Sequence, residues 1–265
     1  MYLDSLRDIL ESLASGDIDV DEALKRIRLF AIEAIDNKVR YDVGRAIRRD
    51  VPEIVFGENK DLSTLENIIR SVTPVIGKVI ISRLRDDQIN FLKNLKIDNI
   101  VIEVNEVGRI AVARLKNIKE LKNICKVGIV TGGTADIRVA EEAKIIAEEM
   151  GCDVITLYDV GVAGLHRTLE AVKKLKDEDV DVVIAVAGME GALPSIVASL
   201  LDVPVIGVPT SIGYGVGGGG IAALYSMLQA CPLGLAIVNI DNGVNAGIVA
   251  GLIGKRISLY RKSKF

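Results

Sequence analysis

A single histidine, His166, stands directly before Arg167, and the chain has three cysteines, Cys125, Cys152 and Cys231. One imidazole per chain excludes any mechanism that draws two from the same chain. The His-Arg pair opens a helix after an apolar run, which suits acid–base chemistry and anion binding. The alternative is an exposed histidine beside an arginine tied to its own neighbourhood. Glu190 lies between glycines in Ala187-Gly-Met-Glu-Gly-Ala-Leu-Pro194, an otherwise apolar stretch. Partial burial there would raise its pKa and make it a proton-transfer group. Its competing role is to meet the dipole of the next helix.

Three further loops carry polar or glycine-rich chemistry. In Thr131-Gly132-Gly133-Thr134-Ala135-Asp136 the glycines let backbone amides approach an anion at the start of a helix. Asp136 then either caps that helix or binds a ribose hydroxyl. In Val208-Pro-Thr-Ser211-Ile-Gly213-Tyr214-Gly-Val-Gly-Gly-Gly-Gly220 the glycines mark a phosphate-cradling loop or a lid. It is not a Walker loop, because no Lys-Ser/Thr pair follows. Asn239-Ile-Asp241-Asn-Gly243 is an Asx-rich turn or a ligand contact. Cys231-Pro232 closes an apolar helix, and taken alone such a cysteine is a small hydrophobe. The cysteine spacing fits neither a zinc site nor a disulfide framework.

The elements that must position these residues alternate regularly in the C-terminal half. Strands are expected at Val127–Thr131, Val154–Tyr158, Val182–Ala187, Val205–Val208 and Ala236–Ile240. Helices are expected at Asp136–Met150, His166–Leu175, Gly191–Leu201, Gly220–Cys231 and Gly243–Ile253. Strands apolar throughout and alternating with helices imply a parallel sheet covered on both faces. Ligands bind such sheets beyond the carboxyl ends of the strands, where the glycine-rich loops fall.

The N-terminal half is less regular. Met1–Leu13 and Asp19–Ile35 have apolar residues at helical spacing. Short elements follow: a helix from Asp61 to about Ser71, a strand at Val79–Ser82, a helix at Asp86–Leu95, and strands at Ile97–Val104 and Arg109–Arg114. The expected fold class is α/β, with a three-layer α/β/α parallel-sheet C-terminal domain of flavodoxin-like type and a smaller N-terminal α/β domain. The expected domains are 1–119 and 120–265, with the boundary within Leu115–Asn123.

Composition is that of a globular protein, with 49% hydrophobic and 26% charged residues among 265. The net charge of −3 has no basic patch, which argues against a nucleic-acid polymer as partner. Val203–Ile240 has no charge, but its prolines and glycines read as strand, loop, helix and strand rather than a membrane span. With no apolar signal segment, the cytoplasm is the expected location and no membrane partner is expected.

Two families resemble this chain. Lys126–Gly254 resembles the purine-biosynthetic carboxylase/mutase acting on aminoimidazole ribonucleotide, through the GGTAD loop, His166-Arg-Thr168, Ala187–Pro194 and Val203-Pro-Val-Ile-Gly-Val-Pro209. A longer resemblance is to pyridinium-3,5-biscarboxylic acid mononucleotide synthase, the LarB family, which starts nickel-pincer cofactor synthesis. It is carried by Asp42-x-x-Arg45-x-x-Arg48, Pro52-Glu53 with Gly57 and Lys60, and Ala187–Pro194. Thr210–Gly215, Ser226-Met-Leu-x-x-Cys231 and Val238–Gly243 continue it in order. Asp50 stands where that pattern leads one to expect glycine, and Val216–Gly220 is richer in glycine than the pattern.

The second resemblance implies carboxylation of the pyridinium ring of nicotinic acid adenine dinucleotide, using carbon dioxide or bicarbonate, and hydrolysis of its phosphoanhydride to release AMP. Cys231 is then a covalent activator, because a pyridinium cation is too electron-poor to attack carbon dioxide until a thiolate adds to it. Glu190 is the expected base, with His166 and Asp241 as helpers. Gly132, Gly133, Thr134, Asp136, Arg167, Ser211, Gly213, Tyr214 and Asn239 are expected to hold substrate. Arg45, Arg48 and Lys60 are expected either to contact the dinucleotide or to be ordinary surface charges. No tightly bound cofactor and no dedicated metal site are expected, although magnesium could assist the hydrolysis. The resemblance also implies a homo-oligomer, with an octamer built on the C-terminal domain as one stoichiometry. The competing readings are an aminoimidazole ribonucleotide carboxylase/mutase, which needs no cysteine, and a non-catalytic nucleotide-binding regulator.

Overall fold

The computed structural model describes residues 6–28, 32–35, 39–118 and 122–263. The chain divides into two compact units, Met1–Val104 with Ala111–Ile118, and Asn105–Ile110 with Lys119–Phe265. Residues 119–121 of the expected boundary, and Met1–Ser5 of the expected first helix, lie outside the described residues.

The first unit opens with α1 (Leu6–Ser15) and α2 (Val20–Arg28). The expected helix does not reach Ile35. Instead β1 (Ile32–Ile35) pairs antiparallel with β2 (Val39–Asp42). Pairing with a neighbouring strand overrides the helical spacing, as it readily does for a short segment ending in β-branched residues. After α3 (Arg45–Arg49) come β3 (Ile54–Phe56), α4 (Leu62–Ile76), β4 (Lys78–Ser82), α5 (Asp86–Asn94), β5 (Ile100–Asn105) and β6 (Ile110–Leu115). The last four strands form one sheet in the order β3-β4-β6-β5, with β3 parallel and β6 antiparallel to β4. The Asp61 carboxylate caps α4 by accepting from the Thr64 amide at 2.6 Å. Leu65, Ile68, Ile69 and Val72 form its fully buried stripe against the sheet.

The second unit alternates β7 (Lys126–Thr131), α6 (Ile137–Glu149), β8 (Asp153–Leu157), α7 (Leu165–Asp177), β9 (Val182–Ala187) and α8 (Leu193–Leu200). It continues with β10 (Val205–Pro209), α9 (Ile221–Leu228), β11 (Leu235–Ile237) and α10 (Gly243–Ser263). All five strands are parallel, in the order β11-β10-β9-β7-β8. This is the flavodoxin-like order, and the three-layer α/β/α fold is as expected. Every residue of β9 is buried: Val182, Ile184 and Val186 pack toward α6 and α10, Val183, Ala185 and Ala187 toward α7, α8 and α9. β11 ends at Ile237 rather than Ile240, because the Asn239 side chain accepts the Ile240 amide at 2.9 Å and starts a turn. α10 packs closely on α6: a Cβ on Gly247 would lie 2.6 Å from the Ala143 carbonyl, and one on Gly251 2.5 Å from Met150 Cβ. Among the described residues no helix is long and apolar enough to cross a membrane.

Candidate functional site

Strand order reverses between β7 and β9: β8 continues outward from β7, while β10 and β11 continue outward from β9. A crevice therefore opens beyond the carboxyl ends of β7 and β9, the position at which such sheets bind ligands. The loops following all five strands meet along this edge.

Two buried threonines and one buried aspartate join those loops. Asp136 is 4% exposed, and its carboxylate accepts from the Gly133 amide at 2.9 Å and from the Thr210 hydroxyl at 2.7 Å. The Thr131 hydroxyl accepts the Asp159 amide at 3.0 Å. Burial pushes the Asp136 carboxyl above its usual range, against the lowering pull of hydrogen bonds from Thr210, Gly133 and Gly188, and the charge of Asp241 adds to the rise. With both oxygens hydrogen-bonded inside the protein, Asp136 is a strut between the first and fourth loops. Thr131 and Thr210 were not singled out for this bracing. Their signal is a threonine at the last strand position or immediately after it, where a hydroxyl can reach a neighbouring loop.

The loop after β9 presses on the loop after β10. The Met189 amide donates to the Ile212 carbonyl at 3.0 Å. A Cβ on Gly188 would lie 2.2 Å from that same carbonyl oxygen, so only glycine fits. Asp241 joins the last loop to the cluster: its amide donates to the Pro209 carbonyl at 2.9 Å, and its carboxylate accepts the Ser211 amide at 2.9 Å. Asp159, Met189 and Asp241 have φ of 55°, 50° and 53°, a left-handed conformation that is costly for residues other than glycine.

The structure brings Glu190, His166 and Asp241 to the same sheet edge, with Gly132, Gly133, Thr134, Ser211, Gly213, Tyr214 and Asn239. Glu190 is exposed in the single chain, so the partial burial expected of it is absent there. His166 is also exposed, in the first turn of α7. Arg167 is not a free anion binder: its guanidinium bonds the Asp159 carboxylate at 2.7 Å and the Asp159 carbonyl at 2.8 Å. Asn239 spends its side-chain oxygen on the turn at Ile240.

Cys231 is elsewhere. It follows α9, which runs back across the sheet, and precedes β11. The Val205 amide at the start of β10 donates to the Gly234 carbonyl at 3.0 Å, so this segment lies at the amino edge. The length of β10, about 13 Å at ~3.3 Å per residue, separates that edge from the glycine-rich loops. The expected meeting of Cys231 with Glu190 does not occur within one chain, because a parallel crossover must return its helix to the amino edge before the next strand begins. Cys231 is nevertheless exposed, whereas Cys125 and Cys152 are buried with their sulfurs 2.6 Å apart.

In the first unit, Asp42, Arg48 and Glu53 form a structural cluster. Arg48 pairs with Asp42, and the Glu53 carboxylate accepts the Asp42 amide at 2.7 Å. Arg45 is exposed. Asp50, where glycine was expected, has φ 58°, the conformation glycine adopts most readily. Arg40, Tyr41, Glu53, Lys60, Asp61 and Thr64 are among the residues lining a cleft of about 560 Å3 in this unit. Lys60 Nζ there donates to the Phe56 carbonyl at 3.1 Å.

Known proteins match both units. The AIR carboxylase family profile matches residues 126–258, and the LarB/PurE-like N-terminal domain profile matches residues 32–116. An uncharacterized protein of Methanocaldococcus jannaschii is 44% identical over 253 residues, covering 95% of this chain and 97% of that protein. The N5-carboxyaminoimidazole ribonucleotide mutase of the same organism is 40% identical over 124 residues, 46% of this chain and 74% of that enzyme. A crystal structure of Treponema denticola PurE shares 25% identity at a TM-score of 0.38, over 52% of this chain and 90% of that one. The chain belongs to the AIR carboxylase family, and the LarB/PurE-like N-terminal domain in front of that domain makes it a LarB-like protein of carboxylase-related function.

Proposed function

We propose that the enzyme carboxylates the pyridinium ring of nicotinic acid adenine dinucleotide and hydrolyses its phosphoanhydride, releasing AMP and pyridinium-3,5-biscarboxylic acid mononucleotide. The observation that carries this reading is the LarB/PurE-like domain preceding the AIR carboxylase domain in one chain. An exposed Cys231 fits a carboxylase whose substrate needs an added electron pair.

The thiolate of Cys231 adds to the ring, forming a carbon–sulfur bond and turning the cation into a neutral dihydropyridine. Its enamine carbon attacks carbon dioxide, forming the carbon–carbon bond. Glu190 takes the ring proton at that carbon. The carbon–sulfur bond then breaks, the electron pair returns to sulfur, and aromaticity is restored. His166 and Asp241, on the same sheet edge as Glu190, assist proton movement. Backbone amides of the GGTAD loop hold a carboxylate or phosphate. Because Cys231 lies across the sheet from these loops, the sulfur must serve loops other than those of its own chain.

The test is incubation with nicotinic acid adenine dinucleotide and labelled bicarbonate, followed by mass measurement. The expected products are AMP and a mononucleotide heavier by one labelled carboxyl group. The 40% identity to the mutase supports the second reading, aminoimidazole ribonucleotide as substrate. Turnover of that compound, unaffected by Cys231→Ser, with none of the dinucleotide, would establish it instead.

A further inference from the structure

We propose that the cleft of the first unit is a binding site for a small phosphomonoester that carries a flat ring, with the loop of residues 57–60 as its anion-holding wall. The inference goes beyond the reaction proposed above and does not depend on it, since every residue invoked lies within the first unit.

Two side chains at the start of α5 hold this loop from one side. Gln88 is fully buried, and its amide nitrogen donates to the Gly57 carbonyl at 2.8 Å and to the Lys60 carbonyl at 2.7 Å. Its oxygen accepts the Arg85 amide at 2.9 Å. The Arg85 guanidinium bonds the Glu58 carbonyl and reaches the Lys60 carbonyl at 3.3 Å. The turn itself closes through the Lys60 amide, which donates to the Gly57 carbonyl at 2.8 Å. Burying a glutamine costs free energy unless its polar atoms are paired, and here the pairing fixes the backbone of a four-residue loop. A trans peptide points the carbonyl of one residue and the amide of the next in opposite directions, and no peptide bond here is cis. With the Gly57 and Glu58 carbonyls turned toward Gln88 and Arg85, the amides of Glu58 and Asn59 face the other way, the side on which Asn59 and Lys60 line the cleft. Neither amide donates to any group among the described residues.

The cleft, of about 560 Å3, has the size that holds small organic ligands. Lys60 is half-buried there, and of the three donors of its ammonium the Phe56 carbonyl takes one. The Arg40 guanidinium, on the same lining, has no hydrogen-bond partner among the described residues. Two carboxylates share the lining, but each is tied to backbone: Glu53 accepts the Asp42 amide at 2.7 Å, and Asp61 the Thr64 amide at 2.6 Å. The groups left to meet a ligand are therefore donors: two amides, an ammonium and a guanidinium. They outnumber the roughly four lone-pair sites of a carboxylate, and they suit the three oxygens and nearly double charge of a phosphate ester. The rest of the wall is apolar, from Ile54, Val55, Phe56 and Ile68. Phe56 is 51% exposed, with the Arg83 guanidinium 5.6 Å from its ring centroid. A half-exposed ring held by a cation offers a surface on which a flat ring can stack.

The probe is phenyl phosphate, and the readout is amide hydrogen exchange of the full chain, resolved by mass spectrometry of its peptides. At about ten times the Kd, exchange at Glu58 and Asn59 should slow about tenfold, the factor by which the free form is depleted. Arg40→Gln, at an exposed position that leaves folding intact, and Lys60→Gln should each weaken binding about tenfold, as loss of a charge-assisted hydrogen bond does. Inorganic phosphate and benzoate should both bind more weakly than phenyl phosphate. No slowing at residues 57–61, or slowing confined to residues 131–136, overturns the site. Affinity unchanged in both variants overturns it as well. Benzoate binding as tightly as phenyl phosphate overturns the phosphate head, and inorganic phosphate binding as tightly overturns the ring.

Discussion

The Thr210 hydroxyl donates to the Asp136 carboxylate at 2.7 Å across 74 positions of sequence, and both residues are buried. Gly133, in Asp136's own loop, supplies a second donor, so two segments distant in sequence converge on one ionisable group. This junction, rather than any exposed side chain, sets the spacing between the first and fourth loops of the site.

Thr210→Val keeps the side-chain shape and removes that donor. A buried carboxylate deprived of a partner costs about 1–3 kcal/mol, so the urea midpoint should fall by a corresponding amount. Thr210→Ser should recover most of the loss, and turnover should follow the same order.

Asp136 also makes stability depend on pH. Its folded-state pKa is raised, so the folded protein holds the proton more tightly than the unfolded chain does. Its contribution is therefore fully present below the ordinary carboxylate pKa and is lost as pH rises through the raised value. Urea titrations across that acidic window should show the wild type losing ground to Asp136→Asn as pH increases. A constant difference between the two would refute the assignment.

Gly188→Ala should be disproportionately harmful for one methyl group. Its Cβ would meet the Ile212 carbonyl at 2.2 Å and the Thr210 hydroxyl at 2.7 Å, so the loops after β9 and β10 must separate. Overpacking of this kind costs about 1–3 kcal/mol. The control is Gly218→Ala, where φ is −56° and the nearest atom lies 3.5 Å away, and its thermal midpoint should scarcely move.

Cys125 and Cys152 should form a disulfide when the protein is refolded with oxidised glutathione, by two exchange steps that release reduced glutathione. Their sulfurs are already 2.6 Å apart. The hydrogen bond with the Cys152 thiol, and then burial, push the Cys125 pKa up, so the native protein should react slowly and refolding should be the effective route. Closing a loop of this length stabilises by about 3.5 kcal/mol. Thiol titration should then find Cys231 alone.

The second unit was largely legible because buried parallel strands are apolar at every position, as Val182–Ala187 shows, and because glycine-rich loops follow such strands at the edge where ligands bind. Ile32–Ile35 was not legible, since a short apolar segment carries the same spacing whether it pairs or coils. The bond between Thr210 and Asp136 and the meeting of Cys125 with Cys152 depend on distances that linear spacing does not encode. Cys231 is instructive in another way. Its neighbours in sequence marked it for chemistry, but the direction in which α9 runs decides which loops it can serve.

Asp159, Met189 and Asp241 each hold a backbone shape that an isolated peptide would abandon, at a cost of about 1–2 kcal/mol per residue. The geometry of this rim is therefore borrowed from the sheet beneath it. A peptide copied from Gly188–Ala192, or the same loop transplanted to a scaffold lacking the Ile212 and Thr210 contacts, would relax to an ordinary turn and lose the fit that it has here.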